Sequence, residues 1–142
     1  MSDTSAPAYR RILLKLSGEA LRSPGSMDNI SPEIVARIAE EIAQAHRAGV
    51  QIGLVVGGGN FWRGRSSGKM DRMDADKIGM LATVMNALAV SDKLEQLGVP
   101  TEVFTSITMP QVAPAFTRKD ALKAMADGKI AIFGGGTGNP FF

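Results

Sequence analysis

The chain of 142 residues carries 16 Lys and Arg against 14 Asp and Glu, contains no Cys, and is 44% hydrophobic. This size and composition fit one globular domain, and the lack of Cys excludes disulfides, thiolate metal sites and a Cys nucleophile. The net charge of +2 is too small to indicate a nucleic-acid-binding surface, so we expect no nucleic-acid partner.

The N-terminal residues 1–8 are polar and contain no apolar segment of the kind found in a signal peptide. No apolar run in the chain approaches the roughly 18 residues that a membrane span needs. We therefore expect a flexible N-terminal tail over residues 1–8, no membrane partner and a cytoplasmic location.

The first half of the remaining sequence predicts a strand, a helix and a second strand. The apolar run over residues 11–16 predicts a buried strand. A helix is predicted to begin after Ser31, because a Ser-Pro-Glu sequence supplies an N-cap, a proline in the first turn and an acidic residue, and to end at Gly49. The aliphatic segment 50–56 predicts a strand covered on both faces.

The second half repeats this alternation. A helix is predicted over residues 74–97, a strand over 101–105, a helix from Thr117 to Gly128 and a strand over 129–133. Alternating strands and helices are typical of a parallel sheet with right-handed crossovers. The predicted fold class is therefore α/β, with a mainly parallel sheet inside a three-layer α/β/α sandwich.

The long helix carries an apolar stripe at helical spacing, formed by Ile78, Leu81, Met85 and Leu88. Methionines on such stripes are more often core residues than ligand contacts. On that basis the core is predicted to include Met80, Met85 and Met125.

Two glycine clusters directly follow predicted strands, at Gly57-Gly58-Gly59 and at Gly134-Gly135-Gly136 with Gly138. Glycine permits close approach of the backbone to a ligand, and exposed N–H groups in such turns bind anions. In open parallel sheets, ligands bind outside the carboxyl ends of the strands, where the segment following the first strand also lies. These turns therefore predict one phosphate-binding site, although tight turns without a ligand would show the same composition.

Three charged residues accompany the glycine turns. Lys15 lies on an otherwise aliphatic strand and can neutralise a phosphoryl group in transfer, or simply extend to the sheet edge. Arg63 follows the first cluster and has the planar donors that suit phosphate oxygens, or is solvated. Asp76 near the start of the long helix either compensates the helix dipole or accepts a hydrogen bond from a sugar hydroxyl.

Four segments together resemble the bacterial uridylate kinases (UMP kinases) of the amino acid kinase family, in unbroken order over nearly the whole chain. They are Lys15-Leu16-Ser17-Gly18-Glu19-Ala20, Gly57-Gly58-Gly59-Asn60 with Arg63-Gly64, Gly79-Met80-Leu81-Ala82-Thr83-Val84-Met85-Asn86, and Gly136-Thr137-Gly138-Asn139-Pro140-Phe141-Phe142. The last two segments favour uridylate kinases over the carbamate, acetylglutamate and aspartate kinases of the same family.

The resemblance implies transfer of the ATP γ-phosphate to UMP, with Mg²⁺ accompanying ATP, to give UDP and ADP in pyrimidine nucleotide biosynthesis. It implies catalytic roles for Lys15 and Arg63. The ATP-binding residues that it implies are Lys15, Leu16, Ser17, Gly18, Gly59 and Arg63. The UMP-binding residues that it implies are Gly58, Asp76, Thr137, Gly138, Asn139, Pro140, Phe141 and Phe142.

The resemblance also implies a larger protein. Family members continue past the final Phe-Phe into further active-site and adenine-binding segments, so we expect residues 9–142 to be the N-terminal, UMP-binding part of one domain truncated at its C-terminus. The intact family members are hexamers, and the helix from Asp76 to Leu97 is expected at a subunit interface. The alternative function is a catalytically inactive nucleotide-binding fragment of the same family.

Overall fold

The computed structural model of the protein describes residues 7–61 and 70–136. The described elements are, in chain order, β1 (Arg11–Leu16), a 3-10 helix (Gly18–Leu21), α1 (Pro32–Arg47), β2 (Gln51–Val56), α2 (Arg72–Gln96), β3 (Thr101–Thr105), α3 (Arg118–Ala126) and β4 (Ile130–Gly134). The predicted strands and helices are confirmed with bounds that differ by a few residues, and the short 3-10 helix is an addition to them. The prediction that the first strand is buried is wrong, because β1 lies at the edge of the sheet and alternates exposed with half-buried residues.

The four strands form one parallel sheet in the order β1-β2-β4-β3. Helices α1 and α2 pack on one face of the sheet and α3 packs on the other. The predicted three-layer α/β/α architecture with a parallel sheet is therefore confirmed. Because all strands are parallel, their carboxyl ends meet at one edge of the sheet.

The two faces of the sheet are buried to different extents. The α1 and α2 face carries the larger core, in which Ile52, Leu54, Ile130 and Ile132 are at most 1% exposed. The α3 face has a smaller cluster around Phe104. On that face Leu13 of β1 is 70% exposed, because α3 packs mainly over the other three strands, β2, β4 and β3.

Each long helix begins at a side-chain cap. Ser31 Oγ accepts a hydrogen bond from the N–H of Ile34 at the start of α1, and Thr117 Oγ1 accepts one from the N–H of Asp120 at the start of α3. Asp71 caps α2, where its Oδ1 accepts from the N–H of Met73 at 2.8 Å. These caps satisfy N–H groups that lack a partner within the helix, which explains why the helices begin at these positions.

The predicted core assignment of the methionines is partly wrong. Met125 is 8% exposed and Met80 is half-buried, but Met85 is 46% exposed. Met85 belongs to the apolar stripe of α2, and this whole stripe faces outward because the opposite side of the helix packs on the sheet. Within the described parts of the chain, none of the helices is both long and apolar enough to cross a membrane.

Candidate functional site: three turns at the carboxyl edge of the sheet

The turns that follow β1 and β2 are packed directly against each other. The N–H of Gly57 donates to the carbonyl of Leu16 at 2.8 Å, which continues the pairing of the two strands into the turns. A Cβ atom at Gly18 would lie 2.7 Å from the Gly57 carbonyl oxygen and 2.7 Å from the Gly59 nitrogen. Only glycine fits at position 18, so the two turns form one continuous backbone surface.

The first glycine turn also lies against α2. A Cβ atom at Gly58 would be 2.7 Å from the carbonyl oxygen of Gly79 and 3.0 Å from the Cβ of Ala82. Within residues 7–61 and 70–136, the N–H groups of Gly58 and Gly59 donate to no protein acceptor. Two adjacent N–H donors in a glycine turn at the end of a strand are the arrangement that binds phosphate oxygens.

Hydrogen bonds of two buried asparagines connect this turn to α2. Asn60 and Asn86 are 2% and 0% exposed, and each side-chain amide donates to the other, at 3.0 and 2.7 Å. Asn86 also donates to the carbonyl of Gly57 at 2.7 Å, and Asn60 donates to the carbonyl of Asn29 at 2.9 Å. Because unpaired buried amides are costly, this network strongly favours one conformation of the turn.

The second glycine turn, after β4, is held by the same helix. The N–H of Gly135 donates to Thr83 Oγ1 at 2.6 Å, and Thr83 Oγ1 in turn donates to the carbonyl of Met80. Gly135 has a φ of +91°, and a Cβ atom there would lie 2.6 Å from Ser106 Oγ, so this turn requires glycine. The Ser106 hydroxyl donates to the carbonyl of Gly136 at 3.0 Å.

The side of α2 that faces these turns is made of small and polar residues. Asp76, Gly79, Thr83 and Asn86 are spaced by three, four and three residues, which places them on one face of a helix. Asp76 is half-buried, with its carboxylate 4.0 Å from the guanidinium of Arg72. The predicted ribose-binding acid therefore shares a helix face with the residues that contact the glycine turns.

Lys15 lies on the opposite face of the sheet from α2. Its register partner on β2 is Val55, which pairs in turn with Phe133 of β4, and this row of residues faces α3 and the open part of the sheet. Lys15 is exposed and has no ion pair or hydrogen bond within the described part of the chain. Leu16, by contrast, packs into the α1 and α2 core, and its carbonyl accepts the hydrogen bond from Gly57.

Several predicted site residues fall outside the described ranges. These are Arg63, Thr137, Gly138, Asn139, Pro140, Phe141 and Phe142. Of the remaining predicted residues, the structure brings the turns at Ser17-Gly18 and Gly58-Gly59 together and places Asp76 on the adjoining face of α2. Their roles in binding stay predictions.

The sequence reasoning missed the residues that support the turns, namely Asn60, Gly79, Thr83 and Asn86. All four occur in the segments that carry the family resemblance, but the residue pattern alone predicts no role for them. A signal was available, because Gly79, Thr83 and Asn86 interrupt the otherwise apolar segment 78–90 of the helix, at intervals of four and three residues. Small or polar residues on one face of a buried helix indicate a close contact with another backbone.

An apolar groove of about 590 Å³ lies beside the turns on the α3 side of the sheet. Leu13, Val55, Met125 and Phe133 line it, and it extends to Gly136. Arg11 and Arg118 also line it, but its surface is mainly apolar, so we locate the candidate phosphate-binding site at the glycine turns. The residues described include no group of three or more His, Cys, Asp or Glu placed to hold a metal ion.

Among the described residues, the charge pair whose pKa values are shifted lies at the other end of α3 from this edge. Lys123 Nζ donates to Asp127 Oδ2 at 2.6 Å at the end of α3. This hydrogen bond raises the pKa of Lys123 and lowers the pKa of Asp127. The pair lies on the protein surface, so it contributes to local structure and not to the chemistry of the turns.

The sequence and the fold of this chain are similar to those of known proteins. The sequence model of the amino acid kinase family matches residues 10–140. A UMP kinase from Ureaplasma parvum is similar with a TM-score of 0.87 and 33% identity, over 94% of this chain and 59% of that one. A UMP kinase from Bacillus anthracis is similar with a TM-score of 0.88 and 36% identity, over 94% of this chain and 56% of that one. This chain therefore spans less than two thirds of the length of either structure.

Proposed function

We propose that this chain, which belongs to the amino acid kinase family, acts in the transfer of the γ-phosphate of ATP to UMP. The observation that carries the proposal is the meeting of three glycine-bearing turns at one sheet edge, with the Gly58 and Gly59 N–H groups available to a ligand. The UMP kinases of similar fold support UMP as the acceptor. In the reaction a phosphate oxygen of UMP bonds to the γ-phosphorus, the bond to the β-phosphate oxygen breaks, and UDP and ADP form.

Phosphoryl transfer needs positioning and charge neutralisation more than it needs a nucleophilic side chain. We assign charge neutralisation to Lys15 and Arg63, with backbone contacts to the ATP phosphates from Leu16, Ser17, Gly18 and Gly59. Exposed Lys15 is free of competing ion pairs within the described residues. Lys15 lies near the carboxyl end of β1, and its long aliphatic side chain allows the ammonium group to extend toward the carboxyl edge of the sheet.

UMP is proposed to bind on the other side of the same edge. Gly58 and Asp76 both lie at the α2 side of the turns, where Gly58 contacts the helix backbone and Asp76 begins the polar helix face. A carboxylate in this position can accept hydrogen bonds from ribose hydroxyls. Residues Thr137, Gly138, Asn139, Pro140, Phe141 and Phe142 complete the proposed UMP site.

Mg²⁺ is proposed to enter with ATP. Mg²⁺ is commonly held by substrate phosphates and water with few protein carboxylates, and the described residues offer no acidic cluster that would require a dedicated ion. When bound, Mg²⁺ supplies positive charge to the phosphates. Lys15 and the backbone donors would orient those phosphates from the protein side.

The oligomeric state is also a proposal. The exposed stripe of α2 contains four apolar side chains, each 37 to 46% exposed: Ile78, Leu81, Met85 and Leu88. A row of apolar residues along a helix is suited to packing against the same helix of another copy. We propose that this stripe forms a subunit contact in a homo-oligomer, which in the intact protein is a hexamer.

The direct test is formation of UDP from UMP and ATP with Mg²⁺, measured for this chain and for any longer polypeptide that its gene encodes. Lys15→Ala should lower turnover by about 10² to 10³, the usual effect of removing one electrostatic contact to the reacting group. Lys129→Ala is the matched control, because Lys129 pairs with Glu102 at the start of β4, away from the turns. No turnover in the longer polypeptide, or equal losses in both variants, would contradict the proposal.

A second candidate function is nucleotide binding without turnover. It is favoured by one observation, that this chain spans only 56 to 59% of the length of the UMP kinases it resembles. Calorimetric titration with UMP separates the two candidates. Binding without UDP formation supports the second, whereas a chain that neither binds UMP nor forms UDP rejects both.

A further inference from the structure

One turn of α2 contacts both glycine turns. Asn86 donates to the carbonyl of Gly57 and is paired with Asn60, while Thr83 accepts the N–H of Gly135. Thr83 and Asn86 are separated by three residues, or about 4.5 Å along the helix axis. Two turns that are 78 positions apart in sequence, at Gly57 and Gly135, are thus fixed to neighbouring points on one rigid element.

We propose that Thr83 and Asn86 are positioning residues that set the spacing between the two glycine turns and thereby the affinity for the nucleotide between them. The nature of the ligand rests on the function proposed above, whereas the positioning itself does not. Neither side chain needs to contact the ligand, since Asn86 is fully buried and the Thr83 hydroxyl is occupied by Gly135 and Met80.

The chemistry of the two contacts suits this role better than apolar packing would. Hydrogen bonds to backbone N–H and carbonyl groups define both the distance and the direction of a turn, whereas methyl contacts allow sliding. Ala82 and Val84, on either side of Thr83, provide that packing against Gly58 and Gly134. The polar residues therefore add a directional constraint to a surface that is already closely packed.

The first test uses Thr83. Thr83→Val keeps the side-chain shape but removes the acceptor for Gly135, whereas Thr83→Ser retains the hydroxyl. We expect Thr83→Val to raise both the Gly135 amide hydrogen-exchange rate and the Kd for UMP about tenfold, the effect of one lost hydrogen bond. Thr83→Ser should restore both values to within about twofold.

Ser91→Ala is the matched control on the same helix. Its hydroxyl pairs with Thr101 Oγ1 at 2.6 Å, two turns of helix beyond the glycine turns. This variant also loses a hydroxyl hydrogen bond of α2, and it should leave Gly135 exchange and the Kd for UMP unchanged. Equal effects of Ser91→Ala and Thr83→Val would mean a general loss of helix stability and would overturn the proposal.

The second test separates folding from positioning at Asn86. Asn86→Leu should lower the melting temperature, because it leaves the Gly57 carbonyl without its donor and the Asn60 side chain with only its hydrogen bond to the carbonyl of Asn29. The double variant Asn60→Leu/Asn86→Leu replaces both amides and should recover part of that loss while UMP affinity stays reduced. Recovery of both properties would assign Asn86 a structural role only and overturn its positioning role.

The outcomes also distinguish this inference from the proposed function. If the wild-type chain binds no UMP, the proposed function fails, and the exchange rate of Gly135 alone decides whether Thr83 positions the turn. Unchanged exchange in Thr83→Val overturns the inference. Faster exchange with an unchanged Kd in a chain that binds UMP overturns the link from spacing to affinity.

Discussion

The two sides of α2 differ in a way that reverses the usual relation between hydrophobicity and burial. The side facing the glycine turns carries Gly79, Thr83 and Asn86, and Asn86 is fully buried. The opposite side carries an apolar stripe in which Leu81 and Met85 are each 46% exposed. Close backbone contact requires small or hydrogen-bonding residues, whereas an exposed apolar row is available to another protein surface.

The spacing of apolar residues is therefore enough to identify α2 as a helix, but it does not show which side of the helix is buried. Toward its C-terminal end α2 follows the usual rule, because Val90 and Leu94 are fully buried against the sheet. The exception is confined to the turns beside the proposed site. The polar side should therefore be sensitive to substitution, and the apolar side should tolerate it.

The largest effect is expected at Asn86. Asn86→Ala removes both hydrogen bonds donated by this amide and leaves a buried cavity, so we expect a loss of about 3 to 5 kcal/mol in the free energy of unfolding. Urea denaturation followed by circular dichroism measures it. A loss below about 1 kcal/mol would show that the buried amide network does not stabilise the turn.

A smaller effect is expected in the first glycine turn. Gly58→Ala would place a Cβ atom 2.7 Å from the Gly79 carbonyl oxygen, and we expect it to cost about 2 kcal/mol of stability through displacement of the turn from α2. Gly59→Ala is the matched control, because its nearest contact is Glu19 Cγ at 3.4 Å. Similar denaturation midpoints for the two variants would contradict the contact between Gly58 and α2.

Substitutions on the apolar side of α2 should weaken self-association of the protein but leave its unfolding free energy nearly unchanged. Leu81→Lys changes an exposed residue, so we expect a change in unfolding free energy within about 0.5 kcal/mol. Sedimentation velocity should show self-association in the wild-type chain and a lower average mass in the variant. A wild-type chain that is monomeric at all concentrations would contradict the proposed subunit contact.

The smallest effect is expected at the remote pair of Lys123 and Asp127. The lowered pKa of Asp127 means that its contribution to stability is present above the ordinary carboxyl pKa of about 3.9 and is lost as pH falls through the lowered value. The raised pKa of Lys123 gives a contribution that is present below about 10.4 and is lost as pH rises through the raised value.

Asp127→Asn should remove the acidic part of this dependence and leave nucleotide binding unchanged. Thermal melts between pH 2 and pH 7 measure the difference. An effect on stability as large as that of Asn86→Ala would contradict the comparison, because an exposed pair should matter less than a buried network.

Much of the fold could be predicted from the sequence because its signals are local. Ser31 and Thr117 act as helix caps in the structure, as their spacing predicts. The aliphatic segment of β2 is buried on the α1 and α2 face and partly covered on the α3 face. The meeting of turns at one edge followed from the parallel order of the strands. These features depend on periodicity and chain direction, which a sequence displays directly.

The supporting network could not be predicted by the same reasoning. Asn60 and Asn86 are 26 residues apart, and their pairing depends on how α2 lies across the end of β2. The exposure of Met85 likewise depends on which side of α2 packs on the sheet. Both are consequences of tertiary packing, for which hydrophobic period is an ambiguous guide when each side of a helix contains apolar residues.

The central claim is that the turns at Gly18, Gly58, Gly59 and Gly135 form one nucleotide-binding edge. Titration of the isotopically labelled chain with UMP, followed through the backbone amide resonances, tests it most directly. We expect saturable shifts concentrated at these glycines and at Asp76, with the outer stripe of α2 unaffected. Shifts confined to the apolar groove around Leu13, or no shifts at millimolar UMP, would contradict it.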